Sequence, residues 1–316
     1  MNSSLGIALR LVLALSFGLG FLSLHAETRH NATSQYPSYE GRVMCGYQGW
    51  FRAEGDGSGE GWTHYSERGP LAAGTLHPDF WPDVSEYEKT YPTALTNQDG
   101  STVRVFSSWD QSTTDLHFRW MQQYGIDGAF VQRFFSGLSS PERRKKSRVV
   151  LENAVQASQK YGRAFAVMYD LSGLRDRGED CSVLIQDWKE LVEEAKVTSQ
   201  ATNNYLYHRG KPLVVIWGLG FPDRGYNIQN IGIDKVIDFL KHDPDYGGCS
   251  VMPGVPTYFR DLNADTNPDP PAIRSAFTKW ITRASLDRNS RAKVVLPAPL
   301  GPAMTMHRDC FVCAFI

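Results

Sequence analysis

The chain has 316 residues, 41% hydrophobic and 21% charged, with 33 basic and 34 acidic side chains and a formal net charge of −1. That much apolar sequence can bury a core, which excludes a disordered chain, and a balanced charge with no basic block gives no electrostatic footprint for nucleic acid. The excess is aromatic, with 8 Trp, 14 Tyr and 16 Phe; Trp and Tyr rings cover apolar sugar faces, and they also fill cores.

Residues 1–26 read as an export signal, with Arg10 as the positive start, an apolar stretch over 11–22 and Ser23-Leu24-His25-Ala26 as a cleavage site before Glu27. An apolar stretch of about a dozen residues is short of the ~20 a membrane span needs, so the expectation is a secreted or periplasmic protein with no stable membrane insertion. Residues 43–51 then read as a strand ending in Tyr47, Gln48 and Trp50. The polar insertion at 52–102 is rich in Gly, Trp and Tyr, and long loops of this kind are usually functional or mobile.

Residues 103–134 spell a strand, helix, strand unit. Val103, Val105 and Phe106 form the first apolar run, which ends in Ser107-Ser108-Trp109-Asp110. Leu116, Trp120 and Tyr124 recur every four residues from a cap at Thr113 or Thr114 to a stop at Gly125. Ala129, Phe130 and Val131 make the next strand, ending in Gln132-Arg133-Phe134. The theme repeats with a helix at 144–160, a strand at 164–171 ending in Tyr169-Asp170, a helix at 183–195, and a strand at 213–218 carrying Trp217. A helix at 231–240 and a strand at 249–255 follow.

Six strands separated by helices, with no glycine-rich dinucleotide fingerprint, predict an α/β fold of the (β/α)8 TIM-barrel type, incomplete at its C-terminal side. The expected organisation is a signal peptide at 1–26, a barrel of about six strands at 27–262, and an anomalous tail at 263–316 that reads as truncated or frame-shifted, with 294–296 as one further strand. The cysteines Cys45, Cys181, Cys249, Cys310 and Cys313 are odd in number and widely spaced, so no disulfide framework is expected. Cys310-x-x-Cys313 has redox or metal spacing but no second ligand pair. His64, His77, His117 and His208 do not share a metal-binding spacing, and neither a metal nor a cofactor is expected.

Five blocks, GYQGWF at 46–51, FWPDVSEY at 80–87, HFRWMQQYGIDGAFVQRF at 117–134, MYDLSGL at 168–174 and YHRGKPLVVIWG at 207–218, resemble in order the glycoside hydrolase 71/99-like group, often labelled xylosidase or arabinosidase-like. The resemblance covers residues 40–262. It implies a secreted barrel acting on glycans, related to family 99 endo-α-mannosidases and family 71 α-1,3-glucanases. It also implies that Asp170 resembles one catalytic carboxylate, while the position three residues on, where family 99 has a second, is Gly173 here. Members of the group continue past this chain's end, and the sequence departs from the pattern after Asp269.

Glycoside hydrolysis needs one protonated and one ionised carboxyl group. Asp170 and Asp110 are the strand-end candidates, with Asp176 on a following loop; Asp110 also reads as a turn or cap before Ser112 and Thr113. Tyr47, Gln48, Trp50, Trp109, Gln132, Arg133, Tyr169 and Trp217 are expected to line the sugar subsites, the rings covering sugar faces and Gln or Arg bonding hydroxyls. Arg133 has a competing reading as a salt-bridge partner of Asp170. Two functions fit: a hydrolase working on a poly- or oligosaccharide through strand-end carboxylates, or a non-catalytic carbohydrate-binding or inactive relative. The second carboxylate discriminates them.

Overall fold

The computed structural model describes residues 29–175, 180–221, 224–228 and 230–255. The expected signal segment, the tail with Cys310 and Cys313, and Asp176 lie outside the described residues.

Strand β1 (Met44–Tyr47) is followed by a hairpin of β2 (Tyr91–Thr96) and β3 (Thr102–Val105). Helix α1 (Gln111–Gln123) leads to β4 (Gly128–Phe134), and α2 (Pro141–Tyr161) leads to β5 (Ala164–Asp170). Helix α3 (Val183–Glu193) leads to β6 (Tyr207–His208) and β7 (Lys211–Trp217), and α4 (Ile233–His242) to β8 (Ser250–Gly254). Strands β1, β4, β5, β7 and β8 lie side by side in that order, every pair parallel. Each helical crossover adds the next strand at the same edge, so the sheet has no reversal of the kind found in doubly wound folds. Among the described residues β1 and β8 do not pair, and the sheet is open rather than a closed barrel. Strand β6 is a two-residue antiparallel addition at the start of β7.

The sequence placed the run at Val103 in the parallel sheet, and the structure corrects this: β3 pairs antiparallel with β2 in a separate ribbon. The reason is in the burial pattern. Val103 and Val105 are buried while Thr102 and Arg104 are exposed, the alternation of a strand with one wet face. Strand β5 is buried at every position and β4 at all but its last, as parallel strands covered on both faces must be. The insertion is also more than a loop. Ala53, Tyr65, Leu71 and Val105 form a small core of their own, and Tyr65 is tied by its hydroxyl to the Phe106 carbonyl at 2.9 Å.

Helix α2 shows how sequence sets an element's ends. The Ser140 hydroxyl accepts from the Arg143 N–H at 3.3 Å, Pro141 occupies the first turn, and Gly162 closes the helix in the left-handed region at φ 57°. Cys45, Cys181 and Cys249 are buried.

Strands β4 and β5 start in register at Gly128 and Ala164, and they approach so closely that a Cβ on Gly128 would lie 2.2 Å from the Ala164 carbonyl oxygen. Backbone cannot swing aside as a side chain can. Gly128→Ala is expected to cost about 1–3 kcal/mol, read as a lower urea midpoint with an unchanged m value.

Candidate functional site

Residues in register on parallel strands point to the same face, and the next residue along each strand points to the other. Phe134, Asp170, Trp217 and Gly254 form one row across β4, β5, β7 and β8; Gln132, Met168, Val215 and Met252 form the row two residues earlier on the same face. At the C-terminal ends of the strands this face opens on a cavity of about 720 Å³, bordered by Gln48, Trp50, Gln132, Asp170 and Trp217. The insertion contributes Arg52, Glu60 and His64 to its wall, and the start of α2 contributes Arg143 and Lys146.

Asp170 is 4% exposed. Burial raises its pKa, against opposition from hydrogen bonding to Ser172 and from the charge of Arg224. The Ser172 N–H donates to its Oδ1 at 2.8 Å, and Arg224 reaches the same loop through the Ser172 hydroxyl at 2.9 Å. A carboxyl whose protonated form is favoured at a strand-end cavity can deliver a proton to a bound group.

Gln132 is 6% exposed, and among the described residues neither its amide nitrogen nor its amide oxygen has a hydrogen-bond partner. A buried amide left without partners costs free energy, so the side chain is set for a ligand that both accepts and donates.

Glu60 is the second carboxyl at the cavity. It stands 3.1 Å from the Arg52 guanidinium and 3.2 Å from the Lys146 ammonium, joining the insertion to α2. Sequence reasoning missed it because it follows no strand; the available signal was its setting between Gly59 and Gly61, both at positive φ (70° and 60°), which coil the chain back to the rim. His64 was also missed as a site residue. It holds an unusual φ of 63° for a residue with a side chain, and its ring stacks on Trp50 at 4.1 Å between centroids. Burial, with the charges of His77 and Arg52, lowers its pKa to about 4, so the imidazole is neutral at neutral pH. Trp50 stacks in turn with Phe134 at 5.4 Å.

The structure does not bring the other predicted residues to the cavity as side chains. Arg133 and Tyr169 lie on the helix face: the Arg133 guanidinium pairs with Asp187 on α3, both 1% exposed, and the Tyr169 hydroxyl donates to the same carboxylate at 3.0 Å. Asp187, not Asp170, is therefore the partner of Arg133. Tyr47 also faces away, with its hydroxyl 3.0 Å from His117 Nδ1 and 3.4 Å from the Thr114 hydroxyl. All three side chains turn from the cavity for one reason, the alternation of faces along a strand, though Arg133 still borders it. Trp109 and Asp110 miss it because they follow β3, which belongs to the ribbon. Asp110 accepts from the Tyr91 hydroxyl at 2.8 Å and from Lys89 at 3.3 Å; it occupies the cap position of α1 without a side-chain capping bond. Arg52 lies over the Trp109 ring, 5.6 Å from its centroid.

Among the described residues no group of three or more His, Cys, Asp or Glu is placed to hold a metal ion, and no helix is long and apolar enough to cross a membrane.

No family model matches the chain, and no curated protein matches it. Among solved structures, two of the GH99 endo-alpha-mannosidase from Bacteroides thetaiotaomicron are similar in part. The one in complex with bis-tris-propane has 12% identity and a TM-score of 0.33 over 56% of this chain and 42% of that one. The other has 15% identity and a TM-score of 0.34 over 56% of this chain and 44% of that one. The chain thus spans less than half the length of those enzymes.

Proposed function

We propose that the protein is an exported glycoside hydrolase that takes a poly- or oligosaccharide into the strand-end cavity, with Asp170 as the proton donor. One observation carries the reading: a carboxyl 4% exposed, its pKa raised by burial, borders the cavity, together with a buried amide, Gln132, that has no partner among the described residues. Glycosidic bonds break when an acid protonates the leaving oxygen while a carboxylate assists water or attacks the anomeric carbon. Asp170 suits the first role. Glu60, the ion-paired carboxylate on the same cavity, takes the second.

Gln132 offers a donor and an acceptor to sugar hydroxyls, and Trp50 and Trp217 supply apolar walls. The five ordered sequence blocks support the same reading, as does the strand order without reversal, in which the sheet forms the first part of a (β/α)8 barrel. Secretion or periplasmic export rests on residues 1–26. The engagement of Glu60 by two cations favours a second reading, a rim that binds a glycan without cleaving it.

The test is to incubate the whole chain with α-glucan, mannan and xylan, following reducing ends and, by calorimetry, binding. Gln132→Leu is expected to weaken glycan binding about tenfold, since hydrogen bonds of this kind contribute about 1 kcal/mol each, while thermal stability stays level or rises because an unsatisfied buried amide has gone. Binding without cleavage selects the second reading. A wild-type chain that neither binds nor cleaves any glycan refutes both.

A further inference from the structure

We infer that His64 is a further sugar-binding residue of this cavity, its imidazole donating to one hydroxyl of the glycan and accepting from another; this rests on the glycan reading above. His64 borders the cavity from the insertion, and the backbone on either side of it is pinned. The Arg52 N–H donates to the Thr63 carbonyl at 3.1 Å, the Tyr65 N–H to the Trp62 carbonyl at 3.0 Å, and the His77 N–H to the Tyr65 carbonyl at 3.1 Å. The ring is held by other rings, Trp50 at 4.1 Å between centroids, Phe51 at 6.2 Å and His77 at 6.4 Å. The residue is half-buried, and among the described residues neither ring nitrogen has a hydrogen-bond partner. Packing therefore fixes the ring while its polar atoms are left for a ligand.

The backbone points the same way. His64 stands at φ 63°, in the left-handed region that is unfavourable for a residue with a side chain. The insertion has glycine at four nearby left-handed positions, Gly55, Gly57, Gly59 and Gly61, which meet that geometry without steric cost. At position 64 a side chain is carried against the cost, beside a cavity, and strain of this kind gathers at ligand sites. Stacking on Trp50 accounts for a flat ring but not for its nitrogens, since a phenyl ring would stack as well. Burial, with the charges of His77 and Arg52 and against that of Glu60, lowers the pKa to about 4. At neutral pH the ring thus keeps one N–H donor and one bare acceptor nitrogen, the complement of two sugar hydroxyls. Gln132 offers the same pairing from β4, so the cavity holds two neutral groups that each donate and accept.

The experiment titrates the whole chain, by calorimetry at neutral pH, with α-glucan, mannan and xylan, and carries those that bind to three variants. His64→Phe keeps a ring for Trp50 and removes both nitrogens; affinity is expected to fall about three- to tenfold, as the loss of one or two hydrogen bonds allows. His64→Gly takes up the left-handed φ without strain, which keeps the fold even where the phenyl ring disturbs it, and should show a similar loss. His64→Asn also tolerates this φ and returns a donor and an acceptor, so it should bind more tightly than His64→Gly. Wild-type affinity in a folded His64→Phe overturns the inference, because the ring is then only an apolar wall. Equal binding by the Gly and Asn variants overturns it as well, however the Phe variant folds. Either result leaves the glycan reading standing, whereas a wild-type chain that binds none of the three polysaccharides removes that reading itself.

Discussion

Asp170→Asn is expected to lower glycoside hydrolysis a hundredfold to ten-thousandfold, on the order of an essential acid's contribution, without lowering the melting temperature. The two effects part because the carboxyl is costly where it stands. Asn keeps the size and the acceptor oxygen that meets the Ser172 N–H at 2.8 Å, but it has no charge to desolvate. In the folded chain burial lifts the Asp170 pKa above the ordinary value of 3.8. A group with a raised folded pKa contributes stability that is fully present below its unfolded pKa and is lost as pH rises through the folded one. Above the folded pKa that contribution has gone, and the ionised, buried carboxyl weakens the fold. Thermal melts from acid to neutral pH should therefore show the variant losing less stability than the wild type as pH rises. Activity of the wild type should fall on the alkaline side as the proton donor ionises. A variant that melts early and retains full activity would show that Asp170 supports structure alone.

The strands that build the rim were readable in the sequence because burial on both faces leaves an uninterrupted apolar run. Gly128–Phe134, Ala164–Asp170 and Lys211–Trp217 each announce themselves this way, and the helices between them follow from their spacing. The run at Val103 was misplaced because four residues hold two valines whether their other face is wet or dry. Its partner, Tyr91–Thr96, contains Pro92 and alternates too weakly to read as a strand. Within the site, adjacent residues at a strand end divide between the two faces, and a sheet covered on both sides gives no hydropathy signal for which is which. Gln132 and Asp170 fell to the cavity; Arg133 and Tyr169 fell to the helices. One signal was present for Arg133. Asp187 sits on α3 between Leu184 and Leu191 and beside Trp188, all buried, and an acid on the apolar stripe of a helix requires a buried partner. Glu60 carried no periodic signal at all, since its position depends on the path of the insertion.

That buried pair carries the largest expected effect on stability. Arg133 and Asp187 are each 1% exposed, with a 2.7 Å bond from the Arg133 Nε to Asp187 Oδ2 and the Tyr169 hydroxyl on the same carboxylate at 3.0 Å. Asp187→Ala leaves a guanidinium and a phenol buried without their acceptor, and loss of one partner of a buried pair costs about 3–5 kcal/mol. Urea unfolding should show this as a large fall in the midpoint. A triple replacement, Arg133→Met with Asp187→Leu and Tyr169→Phe, is expected to recover most of the loss, because removing every member leaves no charge or hydroxyl unsatisfied. The mutant cycle separates the coupling of the pair from the cost of stranding one charge. Arg133 lies between Gln132 and Phe134 on β4, so its anchorage to α3 also holds the cavity-facing residues of that strand in register with Met168 and Asp170. Glycan affinity should consequently fall in Asp187→Ala and return in the triple replacement. If Asp187→Ala cost less than about 1 kcal/mol, the figure typical of exposed pairs, the pair would not be what holds α3 against the sheet.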